Sequence, residues 1–85
     1  MSQQQIQGKI QTRMALLIFC KGVANPIVLY FENAQKVYDE LREVINSTEP
    51  RLIDFEPLGP IKKATIPSDM IVSIALQEER YITQE

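Results

Sequence analysis

Histidine is absent from this sequence, tryptophan is absent too, and cysteine occurs once, as Cys20. Without imidazole there is no histidine general base and no Cys/His zinc site, and a single thiol cannot close a disulfide within the chain. A long hydrophobic run is also missing. The longest, Met14 to Cys20, has seven residues, against the roughly 20 that a membrane-spanning helix needs. Excess positive charge is lacking as well: nine lysines and arginines stand against eleven acids, a formal charge of −2. Nothing in that balance favours generic attraction to phosphate. A secretion signal would need a short basic leader; here the leader is long and glutamine-rich, and Lys21 interrupts the approach to any cleavage site. With the lone thiol, this makes a soluble protein of the reducing cytoplasm the expectation.

What remains is 85 residues, 45% apolar and 24% charged, enough for one small globular domain at roughly 100–200 residues per domain. Residues 1–8 form a polar, glutamine-rich stretch that buries too little to offset its ordering entropy and is expected to be a flexible tail. Residues 9–79 carry the pattern of a single α+β domain, and 80–85 read as a polar C-terminal tail.

From Ile10 the pattern alternates. Ile10, Thr12, Met14, Leu16, Ile18 and Cys20 fall on one face and Gln11, Arg13, Ala15, Leu17, Phe19 and Lys21 on the other, which is a strand, wet at its start and apolar on both faces by Leu16–Phe19. Lys21 to Pro26 supplies turn chemistry, and Ile27 to Phe31 returns as a second strand, most simply a hairpin. Asn33 can cap a helix, and the period then changes to Ala34, Val37, Leu41, Val44 and Ile45. Lys36, Asp39, Glu40, Arg42 and Glu43 take the wet side, where Lys36 and Glu40 are spaced for an ion pair. Pro50 ends the helix's reach. Further strands follow at Arg51–Glu56, Ile61–Ile66 and Met70–Leu76, separated by Pro57–Pro60 and by Pro67–Asp69. The expected fold is α+β in the order ββαβββ, one helix packed on a curved, mainly antiparallel sheet.

That order carries a physical demand. Three strands are apolar on both faces, and one helix covers only one side of a sheet. Leu17, Phe19, Val28 and Tyr30 must then be sealed by the sheet curling on itself or by another copy of the chain, so a homo-oligomer is expected. Tyr81 and Ile82, in the polar tail, have no core role and are candidates to dock on a neighbouring subunit or a protein partner whose identity the residues do not reveal.

Few residues carry chemistry. Cys20 beside Lys21 reads as a small half-buried hydrophobe, there being no histidine or second cysteine to make it a nucleophile. Asp54 and Glu56 share a strand face as an acid–base pair would, but with no aromatic platform or metal-ligand set around them they read as acids that keep an edge strand from unwanted pairing. Asp69 reads as a turn residue whose carboxylate accepts backbone N–H groups. Lys62-Lys63, after Gly59-Pro60-Ile61, is the one basic doublet and a candidate anion contact, although it lacks the glycines and the Lys-Ser/Thr ending of a phosphate loop. On a strand these lysines point to opposite faces, so a clamp would need an oligomer to repeat one of them; gatekeeping of a solvated strand is the preferred reading, with anion contact the alternative. No catalytic set, metal site or cofactor is expected.

The run Arg51-Leu52-Ile53-Asp54, a turn, Lys62-Lys63-Ala64, then Pro67-Ser68-Asp69-Met70-Ile71-Val72-Ser73-Ile74-Ala75-Leu76-Gln77-Glu78-Glu79 resembles the second half of a family of small cyanobacterial proteins. More distantly it is similar to the RemA-like extracellular-matrix regulators, in which a Leu-Ile-Asp strand, a basic turn and an apolar strand opening on Ser-Asp follow a similar hairpin and helix. The first resemblance implies a cytoplasmic, non-enzymatic protein. The second implies ring assembly, and DNA contact through arginines of the basic turn, at whose positions this chain has only Lys62 and Lys63. The functional expectation is a non-enzymatic, self-associating protein–protein interaction module, a regulator or assembly factor. The alternative is an oligomeric nucleic-acid-binding regulator using Lys62 and Lys63 with Lys9 and Arg13, which the charge balance and acidic surroundings disfavour. No membrane contact is expected.

Overall fold

Period-two patterning sets two long strands side by side and lets one helix cap them. A computed structural model describes residues 8–84, the side chains through Thr83. The expected tail over 1–8 thus lies outside the described residues except for Gly8, which opens the first strand. Along the chain run β1 (Gly8–Cys20), β2 (Ile27–Tyr30), α1 (Ala34–Asn46), β3 (Leu52–Phe55), β4 (Ala64–Pro67), a 3-10 turn over Ser68–Met70, and β5 (Ile71–Gln84). Gly22 makes the β1–β2 turn with φ +71°, a left-handed geometry that side chains disfavour.

The fold is α+β, one helix with five strands in antiparallel sheets. These strands do not form one curved sheet. β2, β1 and β5 make a three-stranded sheet in that order, and β3 pairs with β4 in a separate two-stranded one. A physical reason lies at the isolated bridge of Tyr30 in β2 to Leu58 in the loop after β3, where the Leu58 N–H donates to the Tyr30 carbonyl at 2.7 Å. Pro57 and Pro60 flank that contact and have no N–H with which to extend a ladder. The three-stranded sheet does not roll up either.

α1 begins as its pattern implies. The Asn33 Oδ1 accepts the Lys36 N–H at 3.1 Å, a cap that contributes about 1 kcal/mol. Its stripe buries Ala34 and Leu41 completely and half-buries Val37, Val44 and Ile45. On the wet face the contact made is Gln35 to Asp39, 3.1 Å; Lys36 and Glu40 form no ion pair.

The core gathers Leu16 and Ile18 of β1, Leu29 of β2, Leu41 of α1, Phe55 and Ile66 of the small sheet, and Ile71 of β5. Leu16, Ile18, Leu29 and Leu41 are fully buried, each stabilising the fold by about 1.5–3 kcal/mol. At the end of the small sheet the Ser68 Oγ accepts the Arg51 N–H at 2.9 Å, and the Ser68 N–H donates to the Arg51 carbonyl at 2.8 Å. Ser68 therefore fills the turn role expected of Asp69, whose exposed carboxylate accepts no backbone hydrogen bond among the described residues.

The largest departure is at the chain's end. Residues 80–84 are not a tail: β5 continues through Gln84, with Glu78 to Gln84 opposite Met14 to Gly8. β2 reaches only Ala15 to Ile18 of β1, so these seven pairs form a two-stranded ribbon without a third strand. At about 3.4 Å per residue the ribbon projects roughly 24 Å, and the molecule measures 62 × 25 × 20 Å.

Candidate interaction surface

The two faces of this arm differ in chemistry because directly opposed residues share a face. One face continues the core stripe outward from Leu16–Leu76 through Met14–Glu78 and Thr12–Arg80 to Ile10–Ile82. Inside the body that stripe is covered; on the arm it is uncovered among the described residues. Ile10 is 70% exposed and Ile82 62%. Two β-branched side chains pair across the strands at the tip, in water, on an element that is marginally stable unless something packs on it.

The opposite face carries a polar network. The Arg13 guanidinium donates from Nε to Glu79 Oε1 at 3.3 Å, and the Tyr30 hydroxyl donates to the same oxygen at 3.1 Å. Arg13 also lies 4.0 Å from the centre of the Tyr30 ring and 5.0 Å from that of Tyr81. The Tyr81 hydroxyl donates to Gln11 Oε1 at 3.1 Å, and Gln11 Nε2 donates to Thr83 Oγ1 at 3.3 Å. Among the described residues Arg13–Glu79 is the one ion pair. Solvated ion pairs contribute about 0–1 kcal/mol and exposed cation–π contacts about 0.5–1 kcal/mol each, so the network is strongest at the root of the arm, around Arg13, and reaches the tip only through the exposed Gln11 contacts to Tyr81 and Thr83.

A second feature lies on the body. Val37, Glu40, Leu41 and Val44, at helical spacing on α1, face Ile53 to Glu56 and Phe31 across a groove of about 310 Å³. Its floor is apolar, its acids are Glu40, Asp54 and Glu56, and no lysine or arginine lines it.

Against this geometry the residues singled out in the sequence divide. Tyr30 and Tyr81 come together around Arg13, and Ile82 becomes half of the exposed tip pair. Leu17, Phe19 and Val28 lie half-buried on the sheet face away from α1 and take no part in the core cluster; the exposed large apolar side chains include Ile10 and Ile82 on the arm and Leu52 and Val72 on the body. Lys62 and Lys63 are exposed in the loop before β4, not on a strand, so strand alternation does not govern them. Lys63 shares a hollow of about 330 Å³ with Asp54 and Glu56. Asp54 Oδ1 accepts the Thr65 hydroxyl at 2.7 Å. Lys9 is near the arm tip and Arg13 is engaged at its root, on a different segment from the lysine doublet. Cys20 ends β1, half-buried against the core.

No family model matches the chain, and no curated protein or solved structure matches it. The reading of the surface rests on its geometry. Among the described residues, no group of three histidine, cysteine or acidic side chains is placed to hold a metal, and no helix is long and apolar enough to cross a membrane.

The arm was missed in the sequence although a signal existed. Arg80-Tyr81-Ile82-Thr83 is a short run of strand-forming residues. The groove left no comparable trace, since its two walls are separated in sequence.

Proposed function

We propose that this chain is a non-enzymatic, self-associating protein–protein interaction module, acting in the cytoplasm as a regulator or assembly factor, with the β1/β5 arm as its contact element. The observation that carries the reading is the Ile10–Ile82 pair, exposed at the tip of a two-stranded ribbon. An apolar pair in that position gains in a monomer only a cross-strand contact of about 0.2–1 kcal/mol and supplies a buried anchor when another chain covers it. The lone, half-buried Cys20 is compatible with a reducing compartment. Nucleic-acid binding through Lys62, Lys63, Lys9 and Arg13 draws less support: Arg13 is committed to Glu79 and two tyrosine rings, and Lys63 sits beside two acids.

Light scattering coupled to size exclusion tests the proposal on the full chain. The expected result is a mass above 9.8 kDa that falls on dilution from micromolar concentration. A mass equal to that of one chain at every concentration would overturn it.

A further inference from the structure

The exposed tip and the acidic groove are complementary in two independent ways. In shape and polarity, the groove between α1 and β3 offers an apolar floor of Val37, Leu41, Val44, Ile53 and Phe55, and the tip offers Ile10 and Ile82. At the ~30 Å³ that one water occupies in the liquid, the groove's volume equals about ten waters, room for the eight side-chain carbons of the isoleucine pair. In charge, the tip residues 8–12 and 80–84 carry Lys9 and Arg80 and no acid, whereas the groove is lined by Glu40, Asp54 and Glu56 with no cation among its lining residues, the one lysine near these acids being Lys63 in the adjoining hollow. Arg80 shares the isoleucines' face, and Lys9 emerges beside them on the other. Glu78, the acid on that face, lies four residues nearer the body.

We infer that the arm tip of one chain docks in the α1–β3 groove of a second copy, Ile10 and Ile82 entering the groove while Arg80 and Lys9 meet Glu40 and Glu56 at its rim. This rests on the self-association proposed above and specifies the two surfaces that make it. The arm cannot reach the groove of its own chain, because β1 runs unbroken from the tip into the core and bending it back would break its pairing with β5. The occupant is a second copy because the complementary element is on the same molecule.

Charge reversal by pairs tests this without touching the core. One variant reverses the arm, Lys9→Glu with Arg80→Glu; the other reverses the groove, Glu40→Lys with Glu56→Lys. All four side chains are exposed, and circular dichroism checks that each variant keeps its fold. In either variant alone, arm and groove carry like charge, and association is expected to weaken at least about thirtyfold. In an equimolar mixture each arm again faces a groove of opposite sign, and association is expected to return to within about threefold of the wild type. Wild-type association that survives both reversals would overturn the docking while leaving self-association standing. Folded variants that fail to associate on mixing would overturn it too. A wild-type chain that is monomeric throughout would overturn the self-association on which it rests.

Discussion

Replacing both tip isoleucines, Ile10→Ser with Ile82→Ser, separates association from folding more cleanly than any other change to this chain. Complete burial of an isoleucine stabilises by about 1.5–3 kcal/mol. Roughly two thirds of each side chain is still open to solvent, 70% for Ile10 and 62% for Ile82, so covering the pair adds about 1–2 kcal/mol per residue and about 2–4 kcal/mol together. Its loss should weaken the association constant by about 30- to 1,000-fold. Folding of the single chain should change by no more than about 1 kcal/mol, the upper end of what a cross-strand pair contributes. Sedimentation equilibrium across a concentration series measures the first quantity, and urea unfolding of dilute protein measures the second. Association as tight as that of the wild type would refute the reasoning. So would a fall of several kcal/mol in the stability of the dilute chain, because it would mean that the pair packs within its own molecule.

Two further changes probe the elements that present this surface. Arg13→Ala removes the contact to Glu79 and both ring contacts, and should lower stability by about 1–2 kcal/mol; the loss should appear as faster amide exchange in residues 8–14 and 78–84, with the body unaffected. Asn33→Ala removes the α1 cap and should cost about 1 kcal/mol in urea unfolding, whereas Asn33→Ser should cost little, because serine caps nearly as well.

Local pattern revealed those elements whose partners are near in sequence. Alternation from Ile10 to Cys20 marked β1, and Asn33 with the stripe Ala34, Val37 and Leu41 marked α1, because both signals arise within a few residues. The far half of β5 was hidden for the opposite reason. Residues 80–85 read as a polar tail beyond a charged domain end until Arg13, 66 residues from Glu79, supplies the counter-charge that holds the strand together there. The separation into two sheets was hidden too. Ile53, Phe55 and Ile66 alternate alike whether their strands join the main sheet or pair alone, and the decision falls to Leu58, held between prolines that cannot extend the ladder. The expected contact surface comprised Leu17, Phe19, Val28 and Tyr30, which are half-buried, together with Tyr81 and Ile82, of which Ile82 is exposed. The most exposed large apolar residue among those described, Ile10, lies on an element whose existence depends on that long-range pairing, with Leu52 of the small sheet next.

Amide hydrogen exchange of residues 8–14 and 78–84, followed as a function of protein concentration, bears most directly on whether a second chain covers the arm. An isolated two-stranded ribbon holds its amides weakly, so their protection should rise with concentration and fall on dilution, in step with the oligomer mass. Strong protection that does not change on dilution of the chain to a monomer would show the arm to be stable by itself and would contradict the account.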